Sequence, residues 1–254
     1  MNDPVIVVGI GEMGGVFTRG LLRLGHPVFP VTRNSDMGKI AHAVPDPRLV
    51  LVSVGEDDLQ PTLQSLPGAW KNHLGLLQNE LLPGDWKQHA IDNPTLISVW
   101  FEKKKGQDYK VLIPSPTFGP QAPLLENALT TLEIPTWEVA CPEEMEHELV
   151  RKNVYILTTN IAGLVTGGNV EQLWYQHEDL ARQVADEVMD IQAWLVGHHL
   201  ERDRLIEGMV EAIQGDLRHQ CTGRSAPRRL ARALAYADEA GLGVPKLREI
   251  QKNN

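Results

Sequence analysis

The sequence predicts an α/β protein in two parts, a largely parallel sheet with its helices followed by an all-α region. In the first half, short apolar runs rich in β-branched residues alternate with helical stretches, which is the pattern of βαβ units. A cluster of glycines stands directly after the first of these runs. From about residue 143 onward, turn residues become rarer and apolar residues recur every three or four positions, as they do on one face of a helix.

The strands are predicted from their continuous apolar character, which is typical of strands buried on both faces of a parallel sheet. Residues 4–8 form the first strand, and residues 27–32 and 49–54 form the next two. A helix is expected over residues 15–24, with Gly25 just after its end. Weaker strand candidates are residues 73–78, 95–101 and 111–113.

The boundary between the two parts is predicted at residues 133–142, a segment with two prolines that is typical of a linker. The expected domains are therefore residues 1–136 and residues 143–254. In the second domain, one helix carries an apolar stripe and ends at Gly167-Gly168. One or two long helices are expected over residues 171–214, and a last one over residues 227–240. The stripe consists of Val150, Val154, Leu157, Ile161 and Leu164.

Composition limits the classes of partner. The chain has 254 residues, a formal net charge of −9 and 42% hydrophobic residues, so it can bury a substantial core but repels phosphate backbones and anionic membranes. We therefore expect neither nucleic acid nor a membrane as partner. Two cysteines without a CxxC motif predict neither a disulfide framework nor a zinc site. With no secretory signal recognised at the N-terminus, a cytoplasmic location is expected.

The glycines after the first strand form a GxGxxG motif between a strand and a helix, which is the context that this motif requires. Gly9 permits the tight turn, Gly11 lets the backbone approach a pyrophosphate, and Gly14 allows the helix to pack closely on the strand. The motif predicts a Rossmann dinucleotide-binding domain, and the alternative is a glycine-rich turn without a ligand. Its residues are Gly9, Ile10, Gly11, Glu12, Met13 and Gly14.

The end of the second strand predicts the cofactor. An acidic residue there would bind the ribose 2′-hydroxyl of NAD, but the chain has Thr32, Arg33 and Asn34. Arg33 lies 19 residues after Gly14, and a guanidinium can bind a 2′-phosphate with two hydrogen bonds. Asp36 is the nearest carboxylate in sequence. These residues predict NADP(H), and the alternative for Arg33 is a solvated surface arginine.

With this layout, the chain resembles the ketopantoate reductase family, within the group related to 6-phosphogluconate dehydrogenases. Members of that family reduce the 2-keto group of a small carboxylate with NADPH. One stretch that carries the resemblance is Leu76-Leu77-Gln78-Asn79-Glu80, which is similar to a family strand that ends in Gln-Asn-Gly. The resemblance implies that Asn79 lies near nicotinamide and substrate. Glu80 replaces the family's glycine, and an ordinary turn-closing role is the alternative for Asn79.

A second stretch begins at Lys152. The family places a lysine and two asparagines at i, i+4 and i+8 on one helical face, and here Lys152 and Asn160 match whereas Ile156 does not. The resemblance implies that Lys152 is the general acid that protonates the alkoxide formed by hydride transfer. It also implies that Asn160 helps to position the reacting groups. The alternative for Lys152 is a surface lysine off the apolar stripe.

Near the C-terminus, Asp216 and the segments that follow resemble the closing helices of the family. Two substrate-holding positions of the family differ, because a serine falls on Ala212 and a glutamate falls on Arg224 or Ser225. These departures leave the identity of the substrate open. Arg224 has two alternatives, a contact to another anionic substrate or a solvated position.

The sequence therefore predicts an NADP-dependent oxidoreductase that acts on a small keto or hydroxy compound. The alternative is a protein that binds NADP(H) without catalysis, as a redox sensor or partner-binding module. No metal site is expected, since the adjacent His198 and His199 point about 100° apart on a helix. A basic run between residues 224 and 232 is interpreted as a solvated face rather than a nucleic-acid site. Because compact helical domains of this kind often dimerise, a homodimer through the helical domain is one expected assembly.

Overall fold

The computed structural model describes residues 2–253. Its residues divide into two compact units, one that ends at Glu148 and one that begins at Leu149. The division falls inside one long helix, Pro142–Thr166, rather than in an irregular linker.

From residue 2 onward, the first unit contains nine strands, five α-helices, the start of the long helix and a short 3-10 helix, Gly68–His73. The strands are β1 (Val5–Val8), β2 (Val28–Val31), β3 (Leu49–Val52), β4 (Leu74–Leu76), β5 (Thr95–Ile97), β6 (Phe101–Lys103), β7 (Tyr109–Val111), β8 (Ser115–Phe118) and β9 (Thr136–Glu138). The helices are α1 (Glu12–Arg23), α2 (Met37–Ala43), α3 (Glu56–Ser65), α4 (Pro83–Lys87) and α5 (Ala122–Thr130).

Seven strands form one sheet in the order β2-β1-β3-β4-β5-β8-β9. The first five are mutually parallel, β8 is antiparallel to β5, and β9 is parallel to β8. β1 and β3 are buried along their whole length, which explains their unbroken apolar sequences. The strand order reverses at β1, so the loop after β1 lies at the point where parallel α/β sheets bind ligands. The predicted Rossmann fold is confirmed.

The segment expected to be a linker is partly ordered sheet. β9 lies within residues 133–142 and pairs with β8, with Trp137 opposite Pro116. A three-residue edge strand is too short for the alternation of polar and apolar residues to reveal it, and its two flanking prolines suggest a loop. The strand expected at 111–113 is also displaced, because β7 spans Tyr109–Val111 and forms a separate hairpin with β6.

The second unit is helical, as expected. Its helices are the remainder of α6 (Pro142–Thr166), α7 (Val170–Gln176), α8 (Glu178–Val196), α9 (Arg202–Gly215), α10 (Ala226–Ala240) and α11 (Pro245–Lys252). Two long helices occupy most of residues 171–214, within the expected one or two, and the short α7 precedes them. Gly197, in the left-handed conformation with φ +81°, ends α8 and separates it from α9. Among the described residues, no helix combines the length and apolar character needed to cross a bilayer.

Candidate functional site

The glycine motif forms a tight turn between β1 and α1. Gly9 has φ +92°, in the region that favours glycine, and an added Cβ would lie 3.0 Å from the carbonyl oxygen of Ser53. Its amide N–H donates to Val31 O, at 2.8 Å, which ties the turn to the end of β2. Only glycine fits this position.

The other two motif glycines differ in how much space surrounds them. A Cβ on Gly14 would lie 2.0 Å from the carbonyl oxygen of Gly9, so this glycine permits α1 to pack against the turn. A Cβ on Gly11 would meet nothing within 4 Å. Gly11 is the N-cap residue of α1, and no side chain caps the helix there. The first-turn N–H groups of α1 are therefore open to an anion, which is how a dinucleotide pyrophosphate binds.

A cavity of about 660 Å³ opens beside this turn, entirely within the first unit. Its size is in the range of small-molecule and cofactor pockets. Six of the nine residues predicted to bind cofactor line it: Gly9, Ile10, Gly11, Thr32, Arg33 and Asn34. Glu12, Met13 and Gly14 do not line it, and Gly14 is buried beneath the turn. The turn, the uncapped helix and the cavity together fit a dinucleotide.

Arg33 lies at the rim of this cavity with 92% of its side chain exposed, and it is not alone there. Its Nη2 donates to Oδ2 of Asp58, at 3.2 Å. The sequence neighbour Asp36 instead accepts from the N–H of Lys39 and caps α2. Asp36 is the nearest carboxylate in sequence, but the carboxylate that reaches Arg33 belongs to a residue 25 positions away. The only sequence signal was the acidic start of α3, residues 56–58.

Two serines that were not singled out in the sequence shape the same cavity. Ser53 Oγ donates to the carbonyl oxygen of Gly9, at 2.6 Å, and so holds the glycine turn against the end of β3. Ser35 Oγ accepts from the N–H of Thr32, at 2.9 Å, and so closes the loop after β2. Both act through backbone contacts that spacing alone does not reveal.

Glu12 places a carboxylate at the first residue of α1, and Lys103 from β6 pairs with it. Lys103 Nζ lies 3.1 Å from Glu12 Oε2 and also donates to the carbonyl oxygens of Lys104 and Gln107. This ammonium neutralises the carboxylate beside the turn that would receive phosphate groups.

Asn79 follows β4 and donates its Nδ2 to Oε1 of Glu56, at 3.0 Å. Glu80, where the resembling family has glycine, has φ +60°. The turn thus keeps a glycine-like conformation although a side chain is present, which costs about 1–2 kcal/mol.

Lys152 lies on α6 with only 5% of its residue surface exposed. The surface-lysine alternative was wrong for this position. Along α6, residues 149–155 and 157–163 are all buried, so the helix is covered on every side and Ile156 is its least buried central residue. A helix of this kind has no solvated face for a lysine to occupy.

Asn160, eight residues further along α6, uses both ends of its amide. Its Oδ1 accepts from Nη1 of Arg229, at 2.7 Å, and its Nδ2 donates to the carbonyl oxygen of Cys221, at 3.0 Å. Arg229 is 8% exposed, which corrects the interpretation of the whole basic run as a solvated face. Burial also raises the pKa of the Cys221 thiol to about 11. These contacts give Asn160 a clear role in anchoring the segment before α10.

The remaining positions singled out from the sequence lie in the second unit. Ala212 is fully buried in α9, and Arg224 is exposed. His198 Nδ1 lies 3.0 Å from the carbonyl oxygen of His199. Within residues 2–253, no three His, Cys, Asp or Glu side chains are grouped in a way that could hold a metal ion.

Comparison with known proteins supports the fold. The structure of 2-dehydropantoate 2-reductase from Methylococcus capsulatus has a TM-score of 0.69 at 14% identity, over 98% of this chain and 94% of the other. A PanE/ApbA family ketopantoate reductase from Ralstonia eutropha JMP134 has a TM-score of 0.68 at 17% identity, over 98% and 96%. D-mandelate dehydrogenase, in a ternary structure with NADH and anilino(oxo)acetate, has a TM-score of 0.67 at 13% identity, over 98% and 96%.

The chain thus has the fold of ketopantoate reductases along nearly its whole length, and the resemblance predicted from the sequence is confirmed at the level of fold. No family model and no curated protein matches the sequence.

Proposed function

We propose that the chain is a nicotinamide-nucleotide-dependent oxidoreductase that transfers hydride between NADPH and a small keto or hydroxy acid. The observation that carries the proposal is the uncapped N-terminus of α1, which opens beside a 660 Å³ cavity with Arg33 at its rim. The fold likeness adds to it, because the similar solved structures include a ketopantoate reductase and a D-mandelate dehydrogenase with NADH. Fold alone does not establish a reaction.

The preference for NADPH over NADH rests on Arg33. A guanidinium makes two hydrogen bonds to a 2′-phosphate, whereas it has no comparable partner in a ribose hydroxyl. Thr32 and Asn34 line the cavity on the same loop. Replacing Arg33 by Ala is expected to weaken NADPH binding at least tenfold and to leave NADH binding within about threefold.

Lys152 and Asn79 are our proposed catalytic residues. A reduced nicotinamide supplies hydride when it is bound. The carbonyl oxygen of the substrate then carries negative charge, which the buried Lys152 ammonium stabilises and protonates. The Asn79 amide, already oriented by Glu56, is suited to position a carbonyl group. For Asn160 the anchoring contacts support a structural contribution, and a direct catalytic role stays a prediction.

The first test is a thermal-shift titration with NADPH and NADH in parallel. A ligand at about 100 times its Kd stabilises the protein by roughly 2.7 kcal/mol, which is a clear shift in Tm. The proposal predicts a shift with NADPH, followed by NADPH consumption with at least one member of a panel of 2-keto acids. The absence of a shift with both nucleotides would contradict it.

The proposed role of Lys152 as general acid is tested by steady-state kinetics with a 2-keto acid that the wild type reduces. Lys152→Met is expected to lower kcat by about 10²–10⁴-fold while the Kd for NADPH stays within twofold, because general acid catalysis contributes about that much. Full turnover by this variant would remove Lys152 from the proposal.

A second candidate is a protein that binds NADP(H) without turnover. The fully buried Ala212, at a position where the resembling family has a substrate-holding serine, favours it. The panel of 2-keto acids separates the two functions, since consumption of NADPH with any member excludes a pure sensor. Self-association stays a prediction, and light scattering of the purified chain tests it.

A further inference from the structure

The cavity rim carries a second charge that opposes the one on Arg33. Asp58, in the first turn of α3, also lines the cavity and forms the 3.2 Å ion pair with Arg33. About half of the Asp58 side chain is exposed, so the carboxylate is accessible both to Arg33 and to a bound ligand.

The sheet order explains why these two residues meet. β2 and β3 flank β1 on either side, so the loop after β2 and the first turn of α3 lie on the two sides of the glycine turn. Within α3, the Thr62 hydroxyl donates to the carbonyl oxygen of Asp58, at 2.7 Å. Asp58 therefore belongs to a hydrogen-bonded helical turn, whereas Arg33 lies on a loop and has a long side chain.

The charge of Asp58 affects the 2′ position of the adenosine ribose of a bound nucleotide. A 2′-phosphate competes with Asp58 for the Arg33 guanidinium, and it places negative charge near that carboxylate. A ribose with a 2′-hydroxyl imposes neither cost, because the ion pair can remain and a carboxylate accepts hydrogen bonds from hydroxyl groups. Asp58 thus penalises NADPH and tolerates NADH.

We infer that Asp58 sets the cofactor selectivity of this pocket by competing with the 2′-phosphate for Arg33, so that the chain binds NADH alongside NADPH. The inference rests on the proposed function, since it requires that the cavity bind a nicotinamide nucleotide. It assigns to Asp58 a specificity role that no motif in the sequence indicates.

The test compares Asp58→Asn with Asp57→Asn as a matched control. Both substitutions remove one negative charge from the first turn of α3, but Asp57 does not line the cavity. Isothermal titration gives the Kd values of NADPH and NADH for the full-length wild type and both variants. The ratio of the two Kd values is the readout, because a change in folding alone would weaken both nucleotides together.

Asp58→Asn is expected to tighten NADPH binding by about five- to twentyfold and to leave NADH binding within about twofold. Asp57→Asn is expected to change the ratio by less than about twofold. The gain in NADPH affinity should shrink as salt rises, because exposed charges are screened. An unchanged ratio in Asp58→Asn, or an equal change in both variants, would overturn the inference.

The outcome also separates this inference from the proposed function. If the wild type binds a nucleotide and Asp58→Asn leaves the ratio unchanged, only the selectivity role fails. If the wild type binds neither nucleotide, the proposed function fails and the role of Asp58 fails with it.

Discussion

Adding one methyl group at Gly14 is expected to disrupt the glycine turn, whereas the same addition at the next residue is not. A Cβ at Gly14 would lie 2.0 Å from the Gly9 carbonyl oxygen and 2.6 Å from Ser53 Oγ. Ordinary contact begins at 3.4 Å, so the start of α1 and the turn must separate by about 1.4 Å. Ser53 Oγ also donates to that same Gly9 oxygen, so the separation threatens this hydrogen bond as well.

The cost follows from this geometry. Overpacking a rigid site typically costs 1–3 kcal/mol, and a clash with the Gly9 backbone and the hydrogen-bonded Ser53 hydroxyl belongs at the upper end. Gly14→Ala should therefore lower Tm by about 6–12 °C. At Gly15, a Cβ would meet nothing within 4 Å, and alanine in place of a helical glycine stabilises by about 0.5–1 kcal/mol.

Differential scanning calorimetry of the two variants provides the assay, with NADPH titration as a second readout. Gly14→Ala should lose both stability and nucleotide affinity, and Gly15→Ala should gain about 1–4 °C and keep its nucleotide affinity. Equal Tm values for Gly14→Ala and the wild type would refute the argument that close approach of α1 requires this glycine.

Three further predictions concern buried and charged side chains. Lys103→Met should weaken NADPH binding about fivefold, because it leaves the Glu12 carboxylate uncompensated beside the proposed phosphate site. Adding Glu12→Gln to this variant should restore the affinity for NADPH. A double variant that binds NADPH as weakly as Lys103→Met would contradict this explanation. Asn160→Ala should lower Tm by about 4–8 °C, since it removes two buried hydrogen bonds. An unchanged Tm in thermal denaturation would contradict the anchoring role of Asn160. Burial raises the pKa of the Cys221 thiol from 9.0 to about 11, so the unfolded chain loses this proton at a lower pH than the folded chain does. The free energy of unfolding should therefore not depend on this thiol below pH 9.0 and should fall as pH rises from 9.0 to about 11. Cys221→Ala should flatten that fall in denaturant titrations at successive pH values, and an unaltered pH profile would exclude the thiol as its cause.

Much of the first unit could be predicted because its central strands are buried on both faces. The runs at β1 and β3 are continuous and apolar, and the GxGxxG motif has a fixed meaning between a strand and a helix. β9 could not be predicted, since three partly exposed residues between prolines carry no periodic signal. The sheet pairing that orders it comes from β8, which is distant in sequence.

The lining of the cavity was predictable where the glycine motif and the end of β2 supply it. Arg33 and the motif glycines Gly9 and Gly11 line the cavity as expected. Asp58 and Ser53 were missed because each reaches the site from β3 or α3 across the sheet. Such approaches depend on strand order, which a single sequence does not specify.

The helical unit shows the limit of pattern reasoning in another way. Lys152 lies off the apolar stripe of α6, and periodicity alone favours exposure for it. The helix is covered on every side, so its polar residues are buried as well. The family resemblance, and not the hydrophobic pattern, was the signal that pointed to this lysine.

The most direct test of the account is nucleotide binding by Gly11→Val. A side chain at Gly11 projects into open space beside the uncapped end of α1, so it should leave the fold intact and occupy the place of the pyrophosphate. Gly68→Val is the control, because Gly68 also has open space around its Cβ position but lies outside the cavity. The account predicts that Gly11→Val loses NADPH binding by at least a hundredfold with a Tm within a few degrees of wild type, while Gly68→Val binds normally. Wild-type affinity in Gly11→Val would contradict the claim that a dinucleotide binds at this turn.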